Sequence, residues 1–429
     1  MTSRGRTWRG KRPRAPVPRV GLFGLLGSGN LGNDGSFEAV LAFLRAKHPD
    51  AILGCLCAGP EQVTARYGIP ATALHWYHAY EQAASGVPAI ALKTVGKGLD
   101  VIRTLSWVRR FDVVIVPGMG VLEATLPLRP WGFPYALFLL CASGRLCGTR
   151  TALVSVGADV IRQRPTRWLI TLAARLAHYR SYRDPLSQDA MRSMGVDTSG
   201  DEVYPDLAFA LPAPAAIPAA RGTVGVGVMA YYGGNDDRRL AEEIHTCYVD
   251  KMKRFVRWLV DNDRRVQLFT GDQVDQSVVR EIISDLRAYR SDLDPSRITA
   301  ASVSSLADLM QQMSSVDTVV ATRYHNVLCA LKLAKPTLSI GYATKNDVLM
   351  AEMGLADFCQ SIGSLDVDLL IEQFTTLESR REQLERTMTE KNLTKVQRLE
   401  HQYEVLSARL FPMPGRHPSG LVSIRRGSR

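Results

Sequence analysis

The chain has few cysteines, and none is spaced for metal binding or for a disulfide framework. Its 429 residues include seven cysteines, which are scattered, odd in number and without a C-x-x-C pair. That pattern argues against a zinc ribbon and a disulfide-stapled secreted domain, so we expect reduced thiols in a cytoplasmic protein. His75, His78 and His245 also lack partners at ligand spacing, and we therefore expect no metal site.

The sequence also lacks a hydrophobic run long enough to cross a membrane. The longest candidate, residues 133–142, is about half as long as the ~20 residues that a transmembrane helix needs. Near the start, VGLFGLLG follows a basic stretch, but it is short and broken by glycine, and it continues as a strand, turn and helix pattern. We predict neither a membrane span nor a signal peptide.

Acidic residues are missing from both ends of the chain, and this is where the net charge of +11 lies. Residues 1–19 carry seven basic side chains and residues 411–429 carry four, with no Asp or Glu in either segment. Without these eleven, the 53 basic residues fall to 42, which equals the number of acids. A neutral core argues against nucleic acid as a partner, whereas basic ends suit peripheral contact with an anionic membrane. Solvated ends that contact nothing are the alternative.

Between the two ends, strand patterns alternate with helix patterns, and one break divides them. The break is LPAPAAIPAARG, which has three prolines and reads as a linker. Alternating strands and helices predict an α/β fold with parallel sheets covered on both faces, here two Rossmann-like doubly wound domains facing a cleft. The expected segments are a basic arm (1–18), an N-terminal domain (19–210), the linker (211–222), a C-terminal domain (223–364), C-terminal helices (365–410) and a basic tail (411–429).

A glycine-rich loop, GLLGSGNLGNDGS, joins the first predicted strand to a helix expected at about residues 36–47, with Asp34 as its N-cap. The loop lacks the spacing of a dinucleotide fingerprint and the Lys-Ser/Thr of a P-loop. Gly29, Asn30 and Asp34 are candidates for contacts with sugar hydroxyls, and Gly118 lies in a similar loop after another strand. The alternative is that both loops are merely tight turns.

The most informative segment is DTVVATRYHNVLCALKLAKPTLSIGYATK, in which two apolar strands each run straight into polar residues. In open α/β sheets ligands bind beyond the carboxyl ends of the strands, and a helix N-terminus there favours an anion. The segment therefore predicts an anion site that contains a titratable residue. Its polar residues are Arg323 and His325 after the first strand, and Tyr342 and Lys345 after the second.

Each of these side chains has a chemical role open to it and a plainer alternative. Arg323 offers a fork of donors that suits a carboxylate or phosphate, although it could equally form an ion pair with a neighbouring helix. His325, which we expect to titrate near neutrality, could move a proton, or could be a helix residue without chemistry. Lys345 could add a second cation, or could simply lie at the surface.

Five stretches of the chain stand out together: GSGNLGNDGSFEA, DVVIVPGMGVLEA, YRSYRDPLSQDAMRSMGVD, YPDLAFAL and the segment from DTVVATRYHN to MAEMGL. In this order, over roughly residues 19–360, they resemble the polysaccharide pyruvyl transferase family. R-x-H and Y-x-x-K are the most specific parts. The resemblance implies a glycosyltransferase-B-like pair of domains, with the acceptor on the N-terminal side and the donor on the C-terminal side.

The resemblance also implies a reaction, in which phosphoenolpyruvate donates a pyruvyl group to a saccharide of a cell-surface or extracellular polysaccharide and forms a ketal. Arg323 and Arg183 would anchor the two anionic groups of the donor, with Lys345 and Tyr342 nearby. His325 would protonate the methylene carbon. The candidate residues for orienting an arginine or taking a hydroxyl proton are Asp184 and Asp206. The route needs no metal or organic cofactor, and a lipid-linked acceptor would give the basic ends a membrane-holding role.

Two other functions stay open on the sequence. A glycosyltransferase that uses a nucleotide sugar would share the fold and the cleft. A non-catalytic protein could instead dock on membrane or nucleic acid through its basic ends. Neither the acceptor sugar nor the oligomeric state follows from the sequence.

Overall fold

The protein is described here from a computed structural model, covering residues 17–77, 87–123, 129–215, 222–234 and 237–411. These residues form two parallel β-sheets with helices between successive strands, as the alternating pattern predicted. The basic arm up to residue 16, the tail from residue 412 and linker residues 216–221 lie outside the described residues. The predictions made for the two charged ends therefore remain predictions.

The first sheet has seven strands in the order β3-β2-β1-β4-β5-β6-β7. Its strands are β1 (Arg19–Gly24), β2 (Ile52–Cys57), β3 (Ala71–Ala73), β4 (Val113–Pro117), β5 (Arg150–Val156), β6 (Tyr179–Tyr182) and β7 (Glu202–Val203). Its helices are α1 (Leu31–Lys47), α2 (Pro60–Tyr67), α3 (Val87–Val108), α4 (Phe133–Cys147), α5 (Arg164–Leu176) and α6 (Pro185–Ser193), followed by a 3₁₀ turn at Leu207–Ala210.

The second sheet has six strands in the order β10-β9-β8-β11-β12-β13. Its strands are β8 (Thr223–Gly227), β9 (Arg265–Phe269), β10 (Ile298–Ala300), β11 (Thr318–Ala321), β12 (Thr337–Gly341) and β13 (Cys359–Ser361). The helices are α7 (Ala241–Asp261), α8 (Gln276–Tyr289), α9 (Leu306–Met313), α10 (Tyr324–Lys332), α11 (Thr344–Glu352), α12 (Val367–Ser379) and α13 (Arg381–Leu410).

The central strands are apolar along their whole length because helices cover both faces of each sheet. Every residue of β4 and of β11 is buried, which is typical of parallel sheets. In both sheets the strand order reverses next to the first strand, between β1 and β4 and between β8 and β11. Such reversals leave a crevice at the carboxyl ends of the strands, which is where ligands bind in this class of fold.

The final helix, α13, runs for 30 residues and returns to the N-terminal sheet. The side chain of Gln402 donates to Ser181 Oγ at 2.9 Å and accepts from Ser155 Oγ at 3.1 Å, inside the core beneath β5 and β6. Tyr403 stacks on Phe43 of α1, with ring centroids 4.6 Å apart. The sequence predicted helices over 365–410, but it did not show that the last of them packs against the first domain.

The glycine-rich loop is shorter than the sequence indicated, because α1 begins at Leu31 rather than near residue 36. The N-cap of α1 is Asn30, whose side-chain oxygen accepts from the N–H groups of Gly32 (3.1 Å) and Asn33 (3.2 Å). The prediction of Asp34 as the N-cap is therefore wrong. The Asp34 carboxylate lies inside the first turn and accepts from the N–H of Gly27 at 2.8 Å.

In the described part of the chain, no helix combines the length and apolar character needed to cross a bilayer. The same residues contain no group of three or more His, Cys, Asp or Glu side chains that could hold a metal ion.

Candidate functional site

Polar side chains from both domains meet across the cleft, at the carboxyl ends of the two sheets. Strands β11 and β12 are parallel neighbours, with Val319 paired to Thr337, so the residues that follow them share one edge. From the other side, Arg183 and Asp184 follow β6 directly. Asp206 lies on the same side, where its side chain caps the 3₁₀ turn by accepting from the N–H of Ala208. The site is thus built from strand ends, as the sequence predicted.

Arg183 is the central cation of this site, and only 3% of its side chain is exposed. Its Nη2 donates to Glu123 Oε1 at 2.6 Å, while Asp184 and Asp206 lie 3.5 and 3.7 Å from other guanidinium nitrogens. Its guanidinium carbon is 4.9 Å from the centroid of the Tyr324 ring. Three carboxylates and an aromatic ring therefore hold Arg183 in one orientation. Because its guanidinium is planar and rigid, its N–H donors point in fixed directions.

Glu123 is the site residue that the sequence analysis missed. Besides Arg183, its carboxylate contacts Lys345 of the other domain, with Oε2 3.3 Å from Nζ. Burial alone would raise the pKa of Glu123, but the charges of Arg183 and Lys345 hold it below its usual value, so the carboxylate is ionised. The feature of the sequence that could have identified Glu123 is its position, six residues beyond β4 and next to the point where the strand order reverses.

His325 lies at a close contact between the two domains. A Cβ built on Gly32 would be 2.0 Å from two atoms of the His325 ring, so only glycine fits at that position of α1. The buried Nε2 of His325 lies 4.0 Å from Asp206 and has no hydrogen-bond partner among the described residues. Burial lowers the pKa of His325 to about 4, and the opposing effect of Asp206 is smaller. The imidazole is neutral at pH 7, contrary to the expectation that it titrates near neutrality.

Arg323 lies at the same edge of the sheet but is tied to its own domain. Its Nε and Nη2 donate to the two oxygens of Asp275 at 2.9 and 2.7 Å, and Asp275 is fully buried. That carboxylate also accepts from the N–H of Ala230 at 2.9 Å. These contacts are those of an ion pair with a neighbouring helix, which was the plainer alternative for this arginine. Two of its five N–H donors are therefore already used.

A cavity of about 500 Å³ lies between the domains beside Arg183. The first turn of α11 borders it, and neither that helix nor α10 has a side chain that caps its N-terminus. Uncapped first-turn N–H groups attract anions. The polar residues that line the cavity are Glu123, Asp159, Arg183, Asp184, Ser187, Asp189, Ser193, Thr344 and Lys345. Tyr342 lies next to it, with its ring centroid 5.5 Å from Lys345 Nζ.

The residues proposed for sugar contact fall elsewhere. Gly29 and Asp34 line a second cavity, of about 510 Å³, together with Arg66, Tyr67 and Gln273. Asn30 caps α1, and burial raises the pKa of Asp34. Gly118 has a positive φ of 51°, and a Cβ there would lie 2.5 Å from Ser36 Oγ, so glycine at this position allows the Ser36 side chain to pack against the loop. Sugar contact by these four residues stays a prediction.

The predicted site residues thus divide into two groups. The structure brings together Arg183, Asp184, Asp206, His325, Tyr342 and Lys345. It places Arg323 on Asp275, and it places Gly29, Asn30, Asp34 and Gly118 around the glycine-rich loop.

A family model described as polysaccharide pyruvyl transferase matches residues 30–344 of the chain. The match covers the second half of the glycine-rich loop, Glu123, and the strand ends with Arg183, Arg323, His325 and Tyr342, and it ends one residue before Lys345. No curated protein matches the sequence significantly.

Solved structures with the same fold are distant in sequence. UDP-GlcNAc 2-epimerase from Neisseria meningitidis, bound to UDP-GlcNAc, is 12% identical with a TM-score of 0.55, over 91% of this chain and 99% of that one. The Methanocaldococcus jannaschii UDP-GlcNAc 2-epimerase is 9% identical with a TM-score of 0.55, over 83% and 92%. Anabaena Alr3699/HepE in complex with UDP-glucose is 14% identical with a TM-score of 0.55, over 91% and 99%. At such identities the likeness shows the glycosyltransferase-B-like fold alone.

Proposed function

This chain belongs to the polysaccharide pyruvyl transferase family, and we propose that it transfers a pyruvyl group from phosphoenolpyruvate to two hydroxyls of a saccharide, forming a ketal. One observation carries the proposal: Arg183 and Lys345 line one cavity in the cleft, and Asp206 lies between Arg183 (3.7 Å) and the buried, neutral His325 (4.0 Å). A small anion that must be both held and protonated needs such an arrangement.

Donor binding is the first step of the proposed reaction. Phosphoenolpyruvate carries a carboxylate and a phosphate, and the cations available at the cavity are Arg183 and Lys345. The uncapped first turns of α10 and α11 add N–H groups, whose partial positive charge also attracts an anion. Arg323, which sequence similarity makes a second anchor, has a third nitrogen free of Asp275 to offer. The donor phosphate and carboxylate would thus be shared among groups from both domains.

His325 is the proposed general acid. It is neutral in the free protein because burial lowers its pKa to about 4. Negative charge brought by the donor would raise that pKa, so His325 would gain a proton when the donor binds. The imidazolium would then protonate the methylene carbon of the donor, making the adjacent carbon electrophilic. Asp206, 4.0 Å from Nε2, would orient the ring and stabilise its charge.

The remaining steps are proton transfers that balance without a cofactor. One saccharide hydroxyl attacks the electrophilic carbon, with Asp184, which borders the cavity, as the candidate to take its proton. Phosphate leaves and the second hydroxyl closes the ketal. Overall, the hydrogen of one hydroxyl ends on the new methyl group and that of the other on the released phosphate. We also propose a cytoplasmic enzyme whose acceptor is lipid-linked and whose basic ends contact anionic membrane.

Thermal unfolding with candidate donors tests this function. We expect millimolar phosphoenolpyruvate to raise the melting temperature, because a ligand bound only by the native state stabilises it by about 2.7 kcal/mol at a hundred times its Kd. UDP-GlcNAc and UDP-glucose should leave the melting temperature unchanged. A shift with the nucleotide sugars and none with phosphoenolpyruvate would replace pyruvyl transfer with nucleotide-sugar chemistry, for which the structural neighbours solved with UDP-sugars provide the precedent.

A further inference from the structure

The charges around the cavity do not favour an anion in the state described. Three carboxylates, those of Glu123, Asp184 and Asp206, contact the fixed cations Arg183 and Lys345, and two further carboxylates, Asp159 and Asp189, also line the cavity. His325 adds nothing because it is neutral at pH 7. An anionic donor entering such a cluster would meet net repulsion, because water screens like charges only weakly in a partly buried site.

Glu123 differs from the two aspartates in what holds its carboxylate. Asp184 Oδ1 accepts from the N–H of Ser187 at 2.7 Å, and Asp206 Oδ1 accepts from that of Ala208 at 3.0 Å, so both are fixed as helix caps. The described contacts of the Glu123 carboxylate are instead to Arg183 (2.6 Å) and Lys345 (3.3 Å). It is also the most exposed of the three, at 23% of its side chain. Glu123 is thus the carboxylate that can leave the cluster at the smallest cost.

The position of Glu123 matches what a small carboxylate ligand would take. Its two oxygens bridge a cation of the N-terminal domain and a cation of the C-terminal domain, across the cavity. The backbone next to Glu123 is fixed beside β5, because the N–H of Leu122 donates to the Gly157 carbonyl at 3.1 Å in an isolated β-bridge. A Cβ on Gly157 would come within 2.7 Å of the Glu123 carboxylate and of the Arg183 guanidinium, so glycine allows this contact.

We propose that Glu123 is a further residue of the donor site, whose carboxylate holds the place of a donor anion between Arg183 and Lys345 and is displaced when the donor binds. The inference rests on the proposed function for the identity of the donor. In the free protein Glu123 supplies the shortest of the three ion pairs of the nearly buried Arg183, which matters because a poorly paired buried charge is destabilising. In the complex the donor takes over that role. Glu123 therefore lowers donor affinity while keeping the empty site stable.

The test is donor affinity in Glu123→Gln, measured by isothermal titration on the full chain. Glutamine keeps the size of the side chain and removes its charge, so phosphoenolpyruvate should bind roughly 10-fold more tightly than to wild type. The matched control is Glu378→Gln, which removes one negative charge outside the cavity, where Glu378 pairs with Arg264 at 2.7 Å. That variant should bind phosphoenolpyruvate as wild type does. Equal or weaker binding by a folded Glu123→Gln variant overturns the inference.

A second anion separates this inference from the proposed function. If phosphoenolpyruvate binds neither wild type nor Glu123→Gln, inorganic phosphate is titrated instead. Tighter phosphate binding by the variant would support displacement of Glu123 while removing phosphoenolpyruvate as the donor. No difference in phosphate binding, or no binding to either protein, would overturn displacement.

Folding is checked by cooperative thermal unfolding of each variant. Should Glu123→Gln fail to fold, Glu123→Asp takes its place, because a shorter carboxylate keeps a counter-charge for Arg183 and loosens the contact with Lys345. We expect Glu123→Asp to bind phosphoenolpyruvate more tightly than wild type. Unchanged or weaker binding in that variant also overturns the inference.

Discussion

Arg183 and Arg323 follow comparable strand ends on opposite sides of the cleft, yet their surroundings differ. Arg183 borders the cavity and contacts three carboxylates. The nearest is that of Glu123, which also contacts Lys345 of the other domain. Arg323 forms two hydrogen bonds to the fully buried Asp275 of its own domain. A motif position thus tells where an arginine lies, whereas its partners decide whether its charge is available to a ligand.

The difference between the two arginines predicts that substitutions around one affect function and substitutions around the other affect stability. Around Arg183 the charges lie beside open space, so changes there should act mainly on ligand binding and turnover. Around Arg323 the charges are enclosed, so changes there should act mainly on the free energy of unfolding. His325 is related to both arginines, because it lies two residues after Arg323 in the chain and near Asp206 and Arg183 in space. The variants below measure this division from the largest expected effect to the smallest.

Replacing His325 should give the largest change in activity. We expect His325→Gln to lower turnover about 10²–10⁴-fold, the usual range for a general acid, while phosphoenolpyruvate binding is largely kept. Single-turnover rates and isothermal titration measure the two quantities. The matched control is His401→Gln on the exposed face of α13, which should be as active as wild type. Full activity in His325→Gln would remove the imidazole from the mechanism.

Replacing Arg323 should give the largest change in stability. Arg323→Ala leaves Asp275 buried without its charged partner, and breaking such a pair costs about 3–5 kcal/mol. Urea unfolding of the variant measures the loss. Arg386→Ala, which removes an exposed i,i+4 partner of Glu382, is the control and should cost at most about 1 kcal/mol. If Arg323→Ala is as stable as wild type, the enclosed pair with Asp275 does not stabilise the fold and the contrast with Arg183 disappears.

The smallest expected effect is on the pH dependence of stability, and it arises from the titration of His325. The pKa of His325 falls from 6.5 to about 4 on folding, so the unfolded chain binds the proton more readily between these values. The full contribution to stability is present above pH 6.5 and is lost as pH falls towards 4, by about 3 kcal/mol. Urea unfolding at a series of pH values should therefore show a steeper fall in wild type than in His325→Gln. Parallel curves for the two proteins would contradict the buried, neutral imidazole.

Much of the fold was predictable because its signals are local. Strands β1 and β11 lie where apolar runs predicted strands, and the Pro- and Ala-rich break separates the two sheets. The position of the R-x-H and Y-x-x-K residues was also predictable, because consecutive strands in a parallel sheet are commonly neighbours and their carboxyl ends meet at one edge. The start of α1 was misjudged because Asn30, rather than Asp34, caps it.

The amino-acid sequence was enough for the alternation of strands and helices, the two sheets, the family and the sheet edge on which the R-x-H and Y-x-x-K residues lie. The charge pairing within the site required the folded chain, since Glu123 is 60 residues from Arg183 and 222 from Lys345, and Asp275 is 48 from Arg323. The low pKa of His325 likewise arises from burial beside Gly32 of the other domain. Periodicity and turn chemistry act between near neighbours in the chain, whereas burial and ion pairing depend on which distant segments the two domains bring together.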